Sequence, residues 1–260
     1  MRVLVKLGGT LLEESVPRAA LCAQLAAVTN EHALVVVHGG GKQVTNYLED
    51  RGVQSKFVNG LRVSDAAVID AVTTIIAGKV NQQLVSSLVA AGLRGVGLSG
   101  IDGPLTVAEQ LHPDLGYVGR PVATDGKLLE ILAGAGYVPA IACVAADKTG
   151  QIFNVNADQM AVSCASDWGA DLLLFLTDVA GVKGSNGEVI PRLDKSASQV
   201  LIQSGVARGG MQAKLEAAEL AIERGVKQVV IASGREPDVC ARVLAGETIG
   251  TRIDGMEKVA

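Results

Sequence analysis

The chain has 260 residues, 48% of them hydrophobic but only 3% aromatic, with a formal net charge of −4. That length supports one large α/β domain or two tightly joined lobes, and the composition excludes disorder and asks for a core of Val, Leu, Ile and Ala, which suits parallel strands covered by helices. The acidic balance excludes a broad nucleic-acid footprint, and no segment offers the roughly 18 uncharged apolar residues of a membrane span. Cys22, Cys143, Cys164 and Cys240 are scattered without a C-x-x-C pair, so they read as buried reduced thiols rather than zinc ligands or a disulfide framework. The start, Met1-Arg2-Val3-Leu4-Val5-Lys6, lacks the uninterrupted apolar stretch of a signal peptide, and a soluble cytoplasmic protein without membrane partners is expected.

Taken along the chain, apolar runs at 3–7 and 34–38 break into Gly8-Gly9 and Gly39-Gly40-Gly41. Both predict buried strands ending in anion-binding turns, because a backbone without Cβ lets its N–H groups come close to a phosphate or carboxylate. Lys6 adds a positive charge beside the first turn. Helices are predicted over 16–29 and 42–51. Asn59-Gly60-Leu61-Arg62 presents an arginine whose planar fork suits bidentate carboxylate binding, with a surface salt bridge as the alternative. A long helix follows over 65–91, with Ser64 as its N-cap. Its apolar face of Val68, Ile69, Val72, Ile75, Ile76 and Val80 marks a core helix or a dimer helix.

A strand at 95–98 precedes a loop over 102–120, then a helix at 124–135 and a strand at 138–143. Asp147-Lys148-Thr149-Gly150 reads as a turn near a change of lobe at 145–155. Next, Asn154, Asn156 and Asp158 alternate, so that on an extended segment they face one way and line a site; the alternative is an Asx-type turn with Asp158 as N-cap of a helix over 157–168. A strand at 171–177 runs into Thr177-Asp178-Val179-Ala180-Gly181-Val182, where a nucleotide edge can form at the strand's carboxyl end. A hairpin closed by Asn186-Gly187 is predicted within 183–192. Gly209-Gly210-Met211-Gln212-Ala213-Lys214 opens a helix over 210–224, where N–H groups and Lys214 can meet an anion together; a flexible loop with a solvated lysine is the alternative. A strand at 227–232 completes a βαβ alternation, which predicts a mainly parallel sheet.

The usual nucleotide signatures are missing: there is no G-x-x-x-x-G-K-[ST], and Gly39 to Val44 lacks the third Rossmann glycine. His32, His38 and His112 have no nucleophile motif around them, and His38 reads as structural.

Taken together, Lys6-Leu7-Gly8-Gly9, His38 to Gly41, Asn59 to Arg62, Asn154 to Gln159, Leu176 to Val182 and Gly209 to Lys214 resemble the amino acid kinase family. The resemblance spans nearly the whole chain, from Val3 to Ile253. Its most specific parts, Asn-Val-Asn-Ala-Asp-Gln and Asn-Gly-Leu-Arg-Val, are those of members acting on N-acetyl-L-glutamate. It implies a three-layer αβα sandwich of the carbamate kinase-like type. One domain would span 1–260, with a substrate-binding and dimerisation lobe over about 1–150 and a nucleotide-binding lobe over 151–260.

By the same resemblance, the γ-phosphoryl group of ATP passes to the side-chain carboxylate of N-acetyl-L-glutamate, the second step of arginine biosynthesis. Lys6 and Lys214 stabilise the transition state from opposite sides, and Asp158 holds both ammonium groups. Gly40, Gly41, Arg62, Asn154 and Asn156 bind the acid. Gly8, Gly9, Gly39, Thr177, Asp178, Val179, Gly181, Val182 and Met211 border the nucleotide. Mg²⁺ rides mainly on the phosphates, with no protein metal cage. The expected assembly is an arginine-insensitive homodimer joined through helix 65–91. Lys42, Ile101 and Gln212-Ala213 stand where the family favours Pro, Lys and Ile-Pro. Alternatives are a sister kinase of the aminoadipate type, a nucleotide-sensing regulatory subunit without turnover, and a dinucleotide-dependent dehydrogenase.

Overall fold

The computed structural model describes residues 1–254, so residues 255–260 of the lobe expected over 151–260 lie outside it. In chain order, β1 (Arg2–Leu7), a 3-10 turn (Gly9–Leu12), α1 (Ser15–Val28), β2 (Ala33–His38) and α2 (Gly41–Glu49) come first. The small hairpin β3 (Phe57–Val58) and β4 (Leu61–Arg62) leads into a continuous rod made of α3 (Ala66–Val72), a π-helical stretch (Thr73–Val80) and α4 (Asn81–Ala90). Then follow β5 (Gly95–Ser99), β6 (Thr106–Gln110), β7 (Val118–Thr124), α5 (Gly126–Gly134), β8 (Val138–Ala142), β9 (Val144–Ala146) and β10 (Ile152–Val155). The second half carries α6 (Ala157–Trp168), β11 (Leu172–Thr177), β12 (Arg192–Leu193), α7 (Lys195–Gln203), α8 (Gly210–Glu223), β13 (Gln228–Ser233), α9 (Val239–Leu244) and β14 (Thr251–Asp254).

Eight strands form one sheet in the order β12-β14-β13-β11-β1-β2-β8-β5, parallel throughout except for the β13–β14 pair. The sheet crosses from the first half of the chain to the second at β1 and β11, where Val3 pairs with Leu172 and Leu7 with Leu176. Helix α1 packs between α4 and α9 on one side, and α6 packs between α5 and α8 in the second covering layer. Covering on both faces explains why Leu34 to Val37 and Leu172 to Leu176 are apolar at every position rather than alternating: all nine are at most 1% exposed.

All six predicted strands and all six predicted helices are present, with ends within one or two residues. Three readings are corrected. The N-cap of the long helix is Asp65, whose Oδ1 accepts the Val68 N–H at 2.9 Å; Ser64 is buried and instead donates its hydroxyl to the Arg62 carbonyl. The segment 102–120 is not a loop but supplies β6 and β7, an antiparallel pair that closes with β9 and β10 into a small barrel beside the sheet. Asn154, Asn156 and Asp158 do not share one extended segment, because the strand ends at Val155 and Asn156 caps α6 by accepting the Asp158 and Gln159 N–H groups. The Asp147 to Gly150 turn is a tight connection between β9 and β10, and Gly184 to Gly187 closes the predicted hairpin.

Candidate active site

The strand order reverses at β1: the chain moves from β1 to β2 on one side and returns to β11 on the other. In an open parallel sheet the crevice beyond the carboxyl ends at such a switch point is where ligands bind. Both glycine turns open into it. The Gly8 N–H donates to the Leu176 carbonyl at 2.9 Å, which folds the first turn across the end of β11. A Cβ on Gly9 would lie 3.5 Å from the Gly41 nitrogen, and Gln43 Nε2 donates to the Gly9 carbonyl at 3.2 Å, so the turns face each other closely. At Gly40, a side chain would press on Ile76 Cγ1 at 3.2 Å, tight enough that the neighbouring side chain would have to shift.

Two helices begin here without a side-chain cap, α2 after Gly40 and α8 after Gly209. Apart from that of Met211, which donates to the Arg208 carbonyl at 3.1 Å, their first N–H groups are therefore left for another acceptor, and the helix dipoles favour an anion.

Between these turns sits a buried charge triad. Lys6, from β1, places Nζ 2.7 Å from Asp158 Oδ1, and Lys214, from the second turn of α8, places Nζ 3.3 Å from Asp158 Oδ2. The Lys6 and Asp158 side chains are only 9% and 8% exposed. Burial alone would raise the Asp158 pKa, but the charges of Lys6 and Lys214 outweigh it and hold the carboxyl below its usual range. Asp158 also lies in the first turn of α6, where the helix dipole favours a negative charge.

On one side of the triad lies a cavity of about 220 Å³ lined by Lys6, Gly9, Gly39 to Gly41, Arg62, Asn154 and Asn156. Arg62 Nη2 donates to the Gly41 carbonyl at 2.7 Å and to Thr45 Oγ1 at 2.8 Å, Nη1 donates to Ser55 Oγ, and the guanidinium lies 4.7 Å from the Phe57 ring. Asn154 Nδ2 donates to Ser64 Oγ at 3.1 Å. These two residues are tied through the backbone as well: the Tyr117 N–H donates to the Ser64 carbonyl and the Asn154 N–H to the Tyr117 carbonyl. That close approach needs Gly116 at φ 65°, where a Cβ would sit 2.4 Å from the Ser64 oxygen.

On the other side a larger cavity, about 460 Å³, is lined by Asp158, Lys214, Gly209, Gly210 and Asn59, and shares Gly60, Leu61 and Asn156 with the first. The two cavities therefore adjoin, with the charge triad at their junction.

The other positions suggested for the nucleotide are less uniform. Gly8 packs against Thr177, which ends β11, is buried and donates to Asp178 Oδ1 at 3.0 Å; Asp178 and Val179 are exposed at the sheet's carboxyl edge. Gly181 and Val182 are buried instead. The Val182 N–H donates to Thr251 Oγ1 at 2.8 Å and its side chain is in the core, so these two support the turn from behind. Met211 is half-buried in the first turn of α8, and none of these residues from Thr177 onward lines either cavity. Among the described residues no His, Cys, Asp and Glu cluster could hold a metal ion.

Sequence reasoning missed Phe57, Thr45 and Ser55 around Arg62, and Cys143, buried in the cavity wall with its thiol pushed up to about 12 by burial. Asn59-Gly60 was the available signal for the β3–β4 hairpin, since both residues adopt positive φ, 49° and 78°.

A profile described as the amino acid kinase family matches residues 1–233. The chain is 55% identical over 254 residues to an acetylglutamate kinase of Solibacter usitatus, covering 97% of this chain and 99% of that one. It is 42% identical to an acetylglutamate kinase of Acidobacterium capsulatum, over 96% and 99% of the two chains. Among solved structures, an N-acetylglutamate synthase from Neisseria gonorrhoeae complexed with coenzyme A and N-acetyl-glutamate superposes with a TM-score of 0.89 at 24% identity; all of this chain is covered but only 60% of that longer one. A Giardia lamblia carbamate kinase bound to AMP-PNP superposes with a TM-score of 0.72 at 14% identity, over 98% of both chains. These two show the fold.

Proposed function

The chain belongs to the amino acid kinase family, and from that premise we propose that it transfers the γ-phosphoryl group of ATP to the side-chain carboxylate of N-acetyl-L-glutamate, giving N-acetyl-L-glutamyl 5-phosphate and ADP in arginine biosynthesis. The observation that carries this reading is the junction of two cavities at Lys6, Asp158 and Lys214. The acceptor needs no general base, because a carboxylate with an ordinary pKa near ~4.3 is already ionised at neutral pH. What the reaction needs is electrostatic: two polyanions held in line and the charge of the transferring group offset.

In this reading the acid occupies the smaller cavity, with Arg62 exchanging protein acceptors for the α-carboxylate and Asn154 and Asn156 bordering the acyl amide. The nucleotide phosphates lie toward Gly8, Gly9, Gly39 and the uncapped start of α8, with the adenosine toward Thr177, Asp178, Val179 and Met211. Lys6 and Lys214 contact the transferring group from opposite sides, and Asp158 is the positioning residue between them. Both Asp158 oxygens are committed to ammonium groups, so Mg²⁺ enters with the substrate, as MgATP, held through phosphate oxygens.

The lobe that binds the acid is assigned to about 1–150 and the nucleotide lobe to the remainder. The assembly is a homodimer through the solvent-facing side of the rod over 66–90. Among the described residues no helix is long and apolar enough to cross a membrane.

The test is incubation with MgATP, N-acetyl-L-glutamate and hydroxylamine, measuring acyl-hydroxamate. Signal with N-acetyl-L-glutamate but not with aminoadipate, lost in Lys6→Ala, is the expected result. Signal with aminoadipate alone moves the chain to the sister activity, and ATP binding without any product moves it to a regulatory role.

A further inference from the structure

His38 closes β2 immediately before the glycine turn, and it is fully buried together with Asn81, the first residue of α4. The imidazole makes two contacts. Its Nε2 lies 2.9 Å from Asn81 Nδ2, and its Nδ1 lies 2.9 Å from the Gly39 carbonyl oxygen. Asn81 Nδ2 also lies 2.8 Å from the Ala140 carbonyl. An amide nitrogen only donates, so its two hydrogens go to the two nearest partners, Ala140 and His38 Nε2, ahead of the Leu98 carbonyl at 3.5 Å. Nε2 must then be the acceptor, the ring proton sits on Nδ1, and Nδ1 donates to Gly39. The chain itself therefore fixes the tautomer. Burial keeps the ring uncharged by lowering its pKa to about 4, so it holds its single proton on Nδ1 and does not exchange it in the reaction.

The consequence lies in the next peptide group. The Gly39–Gly40 bond is trans and planar, so the Gly39 carbonyl and the Gly40 N–H point in opposite directions. With the carbonyl held toward the buried ring, the Gly40 N–H is turned to the other side. There the turn faces Gly9: a Cβ built on Gly9 would lie 3.7 Å from the Gly40 nitrogen, and Gly40 lines the smaller cavity with Lys6. The Gly40 N–H donates to no protein acceptor among the described residues. The rod that carries Asn81 also holds the turn from behind, since Ile76 and Val80 of its π-helical stretch abut Gly40 at 3.2 and 3.4 Å from a Cβ position.

We propose that His38 and Asn81 are positioning residues which aim the Gly40 N–H at the transferring phosphoryl group. The inference rests on the phosphoryl-transfer reading above. Asn81 locks the ring, the ring locks the Gly39 carbonyl, and the carbonyl sets the donor. Neither side chain touches substrate. Their loss should act on the charge that develops in the transition state more than on binding of either ground-state reactant.

The test uses the full chain as wild type, His38→Leu, His38→Asn, Asn81→Leu and the double variant His38→Asn/Asn81→Leu. For each, kcat, both KM values and Tm are measured. Asn places its Nδ2 close to where the imidazole has Nδ1, so it still donates to Gly39. His38→Leu should lower kcat by ~10–100-fold with each KM within about threefold of wild type. His38→Asn should bring kcat back to within about fivefold even if its Tm stays as low as that of the Leu variant. Asn81→Leu should lower kcat in the wild type but not in the His38→Asn background, because Asn81 acts only through the ring. Equal kcat for the Leu and Asn variants, or additive losses, overturns the proposal. If His38→Leu does not fold, the Asn81 comparison decides alone.

Independently of turnover, the Gly40 amide in ¹⁵N-labelled protein should shift on titration with MgAMP-PNP and N-acetyl-L-glutamate in wild type and His38→Asn. A shift in protein that forms no hydroxamate would fault the reaction assignment and not this one. An unmoved Gly40 amide in wild type overturns it.

Discussion

Replacing Asp158 with Asn takes one negative charge from between two ammonium groups 2.7 and 3.3 Å away. At an effective dielectric of about 20 those attractions are ~6 and ~5 kcal/mol, and the desolvation of the buried ions offsets most of them. What remains is the cost of leaving buried charges uncompensated, about 3–5 kcal/mol for removal of one partner. The carboxyl is held below its usual range, so the folded protein binds that proton less tightly than the unfolded chain. Its contribution is therefore fully present above about pH 4 and is lost as pH falls through the depressed folded value.

Urea unfolding of wild type and Asp158→Asn should give a gap of that size from pH 7 to about pH 5, narrowing below about pH 4. In turnover, the two lysines lose their fixed spacing and kcat should fall by ~10²–10³-fold, while the KM for MgATP does not rise because two uncompensated cations attract polyphosphate more strongly. Wild-type stability and kcat in the variant, or a gap that widens as pH falls, would refute the reasoning.

Arg62→Lys loses the planar fork now satisfied by Gly41 and Thr45, and should raise the KM for N-acetyl-L-glutamate about tenfold with kcat within about threefold. Gly97→Ala would put a Cβ 2.2 Å from Asn81 Oδ1; unfolding titration should show a loss of about 1–3 kcal/mol, and no loss would mean that this corner of the core yields freely. All four cysteines are buried, with thiols pushed up to about 11 at Cys22 and about 12 at Cys143, Cys164 and Cys240, so an aromatic disulfide reagent at pH 8 should label none in native protein and all four in denaturant. Light scattering should report twice the 26.7 kDa chain mass; a monomer or hexamer removes the dimer assignment.

Much of the layout was legible in the sequence because parallel strands buried on both faces are continuous apolar runs, and their ends are marked by glycine or a polar turn. The central runs over 3–7, 34–38 and 171–177 needed no tertiary information. The barrel did not announce itself. Thr106 to Gln110 carries Glu109 and Gln110, both exposed, and Val118 to Thr124 contains Gly119 and Pro121, so neither reads as a strand until pairing with β9 and β10 supplies the partners. The N-cap lies one residue beyond the predicted Ser64 because Ser64 and Asp65 are both good caps, and the Ser64 hydroxyl is taken by its bonds with Arg62 and Asn154.

By itself, the sequence determined which side chains are available: two glycine turns, Lys6, Arg62, Asp158 and Lys214, with a motif order that carries the family resemblance. Local chemistry suffices there, since a turn or an uncapped helix start is specified within a few residues. Tertiary structure decided that residues 6, 158 and 214 meet, that both Asp158 oxygens are used, and that the Val182 side chain enters the core while its N–H is taken by Thr251. It also decided the role of His38, whose partner is 43 residues away. Such contacts depend on sheet order and helix packing, and no local spacing encodes them.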